Sequence, residues 1–132
     1  MPLSNLDIIH LEPMSLVKYL SDNFTVDLSS LENGIKEPND YYIAQKLMYR
    51  INSYYSYMLT LQSYAKLELR KAQRINSAEK NAENKRIHED MTDRCFCIDN
   101  FVTLLKKQSE TVSRMITAKQ EANKEINMNT GS

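Results

Sequence analysis

His88-Glu89-Asp90-Met91-Thr92 opens as the helix of a zinc protease opens, with an imidazole followed at once by a carboxylate. That chemistry needs a second imidazole one helical turn later, so that two nitrogens hold one ion while the glutamate activates water. Thr92 stands at that position, and the pattern fails. His88 and Cys95 lie two turns apart on roughly one face, and Cys97 points elsewhere. A tetrahedral site would need ligands from another element or chain, His10 among them. Glu89 and Asp93 have the i, i+4 spacing of paired carboxylates, but a di-iron bundle also needs Glu-x-x-His on two helices, which is missing. The better reading is solvated acids with Arg86 and Arg94 nearby. Between Pro38 and Gly131 no glycine can build a phosphate loop, and before it there is only Gly34. No nucleophile, base and orienting residue come together. The expectation is a protein that is not an enzyme and takes no metal or cofactor.

Two other clusters could act by contact. Seven of the eight tyrosines (residues 41, 42, 49, 54, 55, 57 and 64) lie within one stretch of 24 residues. Tyrosine joins a large apolar ring to a hydroxyl that tolerates water, which suits it to protein interfaces. Tyr54 and Tyr55 fall on the apolar stripe described below, and the others surround the helix. Tyr42, Tyr49, Tyr55, Tyr57 and Tyr64 are the protein-interface candidates. The competing expectation is that these rings only cover the N-terminal arm or a second copy. The next stretch is basic: residues 66–86 hold seven cations against three acids. Lys66, Arg70, Lys71, Arg74, Lys85 and Arg86 are the nucleic-acid candidates, because backbone affinity is largely electrostatic. Solvated charge, and favourable positive charge near a helix C-terminus, explain the same run without a ligand.

The elements that must position these residues follow from what is absent. For 92 residues between Pro38 and Gly131 there is neither glycine nor proline, the two strongest helix breakers. Ala44, Leu47, Ile51, Tyr54, Met58, Leu61, Ala65, Ala72 and Ile75 recur in steps of three and four, broken only by Glu68, with Met48, Tyr55 and Leu69 flanking them. A second stripe runs from Ile87 through Met91, Cys95, Ile98, Phe101, Val102, Leu105, Val112 and Met115 to Ile116, interrupted by Gln108 and Ser109. One unbroken helix would extend about 138 Å, so a reversal between the stripes is expected. Asn76 and Glu79 have the spacing of a capping box. Folding about residue 80 sets Leu61 near Ile98, Met58 near Val102 and Tyr54 near Leu105.

The expected fold is therefore mainly α: a long antiparallel, coiled-coil-like helical hairpin with a short helical or extended N-terminal arm. Its boundaries are an acidic arm over 1–38, a helix over about 39–75, a turn over about 76–85, a helix over about 86–122, and a disordered tail over 129–132. Asn39 or Asp40 would cap the first long helix. In the arm, residues 14–22 read as a short helix, Phe24, Val26 and Leu28 as a brief strand or extended segment, and Asn33-Gly34 as a tight turn. The arm carries seven acids against two bases and the remainder fifteen bases against ten acids, so the two should attract. A stripe this wide suits a bundle. A homodimer is expected, with Leu47, Ile51, Tyr54, Met58, Leu61, Ile98, Phe101, Val102, Leu105, Val112 and Ile116 as core and dimer seam.

Apolar residues make up 42% of the chain and charged residues 26%, enough for one packed domain. No apolar run approaches bilayer length and no export signal is read at the N-terminus, so no membrane is expected. Cys95 and Cys97 point to nearly opposite faces of a helix and cannot bridge. Free thiols packing as small apolar groups suit a reducing cytoplasm. In general character the chain resembles small phage or mobile-element accessory proteins. The function expected is a protein-protein interaction module, an adaptor or inhibitor acting by occupying a surface. The alternative is a nucleic-acid-binding accessory protein using the basic tip.

Overall fold

A computed structural model describes residues 3–130. It is all-α: α1 (Asn5–Ile9), α2 (Pro13–Phe24), a 3-10 turn (Ser29–Leu31), α3 (Pro38–Ala78) and α4 (Ala82–Thr130). The two long helices pack antiparallel as a hairpin. Three side-chain hydrogen bonds between them share one centre, midway between residues 80 and 81: Gln62 to Asp99 (2.7 Å), Ser109 to Asn52 (3.3 Å) and Gln120 to Tyr41 (3.2 Å). This centre lies within one residue of the fold about residue 80 expected from the two apolar stripes.

The reversal is tighter than the span of 76–85 read from sequence: α3 runs on to Ala78 and α4 begins at Ala82. Asn81, not Asn76, supplies the cap. Its Oδ1 accepts the backbone N–H of Asn84 (2.8 Å), while the Asn84 side chain donates to the Glu79 carbonyl (2.7 Å). One pair of asparagines thus closes one helix and opens the next, satisfying groups that helix ends leave unpaired. No residue other than glycine adopts a positive φ among the described residues, so this turn needs no glycine. Asp40 also differs from expectation. Its carboxylate reaches backward to the N–H groups of Lys36 and Glu37 (3.0 Å each), the return half of a capping box, with Pro38 at the permissive first position. Of the tail expected over 129–132, Asn129 and Thr130 belong to α4, since no breaker precedes Gly131; residues 131–132 lie outside the described residues.

Burial repeats with a period of seven. Ala44, Ile51, Met58, Ala65 and Ala72 on α3, and Met91, Ile98, Leu105 and Val112 on α4, are all buried, joined by Leu61 and Cys95. This is the spacing by which one side of a helix meets a neighbour at every second turn. Leu47, Tyr54, Phe101, Val102 and Ile116 are half-buried at its margins. The seam assigned to core and dimer is therefore used within one chain.

The chain divides into two compact units, Met1–Thr25 with Tyr55–Leu104 and Val26–Tyr54 with Leu105–Ser132. In the first, α1 contributes buried Ile8 and Ile9, and α2 contributes buried Leu16 and Leu20. A capping box missed in the sequence reading, Ser4 with Asp7, starts α1. The Arg94 side chain donates to the Leu11 carbonyl (2.6 Å), and the Tyr57 hydroxyl donates to Asn5 (2.8 Å) while its ring stacks on Phe24 at 5.2 Å. In the second unit Val26, Leu31, Ala44, Ile51 and Val112 form one cluster, flanked by Leu28, Ile35, Leu47 and Ile116. Gln108 donates to the Val26 carbonyl (3.0 Å). The strand or extended arm expected over Phe24, Val26 and Leu28 is only partly extended: Phe24 closes α2, Thr25 is extended and Leu28 already turns into the 3-10 turn, and among the described residues the segment joins no sheet. At the turn read from Asn33-Gly34, the Gly34 N–H reaches the Leu31 carbonyl (2.9 Å) with φ +79°, a conformation glycine adopts without steric cost.

Candidate interaction surfaces

The tyrosines of α3 divide sharply by environment. Tyr57 is committed inward, to Asn5 and Phe24, and burial, with Tyr19 nearby, pushes its hydroxyl above the ordinary tyrosine range. Tyr41 accepts a hydrogen bond from Gln120. Tyr54 packs at the edge of the Ile51–Val112 cluster, and Tyr55 is half-buried. Of the five interface candidates, Tyr42, Tyr49 and Tyr64 are exposed, and Tyr57 is the one withdrawn to hold the arm.

Tyr42 and Tyr49 are 54% and 77% exposed and sit seven residues apart, on one face. With Gln45, Lys46, Arg50 and Ser53 they line a shallow recess of about 590 Å³. The spacing is that of a helical stripe, i, i+3, i+4, i+7, i+8 and i+11. The Lys46 ammonium lies 4.8 Å from the centre of the Tyr42 ring, a cation-π contact. Neither Lys46 nor Arg50 forms an ion pair among the described residues. These two cations were passed over in the sequence reading, although a signal was present. From residue 41 to residue 67 the chain has three cations and no carboxylate at all.

The basic residues beyond this face are partly neutralised. Lys71 pairs with Glu68 (3.2 Å), and Arg86 pairs with both Glu83 (3.0 Å) and Asp90 (3.3 Å). Lys66, Arg70, Arg74, Lys80 and Lys85 form no ion pair among the described residues, and Lys80 and Lys85 line a recess at the turn with Asn76, Asn81, His88 and the carboxylate of Glu89. Arg94, read from sequence as a companion to the nearby acids, is instead spent on the Leu11 carbonyl.

No three of His, Cys, Asp and Glu come together as a metal site among the described residues. His10 lies 3.6 Å from Glu68. Burial pushes the Cys95 and Cys97 thiols above their usual range, reinforced by Asp99 and Asp93 respectively, which disfavours the reactive thiolate. No helix among the described residues is long and apolar enough to cross a membrane. In comparison with known proteins, no family model, no curated protein and no solved structure matches this chain.

Proposed function

We propose that this chain is a non-enzymatic protein-interaction module that docks a partner protein on the Tyr42–Ser53 face of α3, acting by occupying a surface as an adaptor or inhibitor. The observation carrying this reading is the pair of open tyrosines, Tyr42 and Tyr49, on a helix whose other large apolar side chains are mostly buried or half-buried along that stretch. Two rigid amphipathic rings one heptad apart are the kind of anchor that dominates protein interfaces, because ring burial releases water at little entropic cost. The fold supports the same reading. Tyr42 and Tyr49 stand outside the buried cluster that the arm and the long helices form.

The test is a photo-reactive phenylalanine analogue placed at position 49 and, as a control, at Thr111 of α4. Crosslinks to a discrete protein from position 49 and not from position 111, lost when Tyr42 is changed to alanine, are expected. An empty lane at position 49 in the native lysate would sink the proposal. Nuclease treatment before crosslinking separates the second reading, nucleic-acid contact at the turn, which is favoured by unpaired Lys80 and Lys85 beside Asn76 and His88. That reading expects salt-dependent binding that weakens when these two lysines become alanine.

A further inference from the structure

Charge decides what kind of partner fits. We infer that the occupant of the Tyr42–Ser53 face is an acidic helical segment of another protein, presenting carboxylates at i and i+4; this rests on the docking reading above. Lys46 and Arg50 are themselves four residues apart, about 6 Å along the axis, so a helix laid alongside offers glutamates at the same rise. The face from Tyr42 to Ser53 runs about 17 Å, three turns, enough to seat a short amphipathic helix with an apolar side chain beside each ring. Nothing on this length of α3 repels a carboxylate, because residues 41–67 contain none. Neither cation has an ion-pair partner among the described residues to give up on binding.

A single-stranded nucleic acid would also seek cations beside aromatic rings, but it binds such platforms by stacking bases on bare ring faces. The Lys46 ammonium already lies over the Tyr42 ring, so among the described residues only Tyr49 of the two open tyrosines is free of a cation as a stacking platform, whereas a carboxylate can meet that ammonium where it stands.

The experiment is a titration of the full chain, isotopically labelled for NMR, with three probes: a synthetic amphipathic peptide carrying Glu at i, i+4, the same peptide with Gln for Glu, and oligothymidylate. Saturable shifts at Tyr42, Lys46, Tyr49 and Arg50 are expected from the Glu peptide alone, weakened about tenfold or more by Lys46→Glu with Arg50→Glu, which exchanges two attractions for two repulsions. Both positions are solvent-facing, and far-UV circular dichroism verifies that the variant is folded. Equal binding by the Gln peptide, tighter binding of oligothymidylate at these residues, or no shift there with the Glu peptide each overturns the inference. Crosslinking from position 49 that survives the double charge reversal would remove the acidic partner and leave the docking face standing.

Discussion

At the start of α3 the Asp40 carboxylate takes two backbone N–H bonds that the helix itself leaves without partners, and these bonds, the Glu37 one first, hold it below the usual aspartate value of 3.8. Asp27 is lowered in the same way by the Ser29 backbone. A carboxyl that binds its proton less readily in the folded chain stabilises the fold above its unfolded value. That contribution disappears as pH falls below about 4 and through the folded value. Asp40→Asn should therefore lower stability in urea unfolding at neutral pH and leave it nearly unchanged in acid, so that the gap between variant and parent closes on acidification. An equal gap at both pH values would show that the residue acts through packing alone. Single residues also mark where sequence reading stopped. Ser4-x-x-Asp7 carries the spacing of the capping box that starts α1, whereas for α4 the sequence analysis read the start at Asn76 with Glu79 and the structure places it at Asn81 with Asn84. The second pair wins because Asn84 can bond the outgoing carbonyl of Glu79 as well.

Among the elements, α3 and α4 were the most legible, because a repeat sustained over this length leaves one solution for which side faces inward. The ends of the stripes were less so. Ile75 and Ile87 belong to the pattern, yet are 55% and 42% exposed, since a helix beside a turn has fewer neighbours to pack against. This contrast gives a direct test. Ile98→Ala, at a fully buried position, should cost about 2–5 kcal/mol, and Ile75→Ala within about 0.5 kcal/mol, in chemical denaturation. Similar losses at both would mean that the turn end is packed against something the single chain does not contain. Gln108 shows what periodicity cannot see: it reads as a break in the stripe, but the break is where α4 reaches the Val26 carbonyl.

For the whole molecule, the arm is what separates this protein from a bare hairpin. Composition located its apolar residues, but not the clamps that fix it, which depend on the path of the chain. Arg94→Met keeps the aliphatic stem and removes the donor to Leu11, leaving a part-buried carbonyl unpaired at a cost of about 1–3 kcal/mol. Hydrogen exchange should then show α1 and α2 losing protection ahead of the Ile51–Val112 cluster; uniform loss would mean that arm and hairpin open together. The burial of Ile8, Ile9, Leu16 and Leu20 also bears on assembly. Met58 and Leu61 are sealed inside one chain, so a second copy would have to use outer residues such as Leu67 or Phe96, and sedimentation of Phe96→Asp separates that case from a monomer.

The bonds from Arg94 to Leu11 and from Gln108 to Val26 join residues 83 and 82 positions apart. In a growing chain the greasy side of the first two helices therefore waits for a clamp, Arg94, that is made 83 positions after Leu11. Refolding should accordingly be slower than the local contacts of a simple helical pair would allow, with closure of these long loops as the late step.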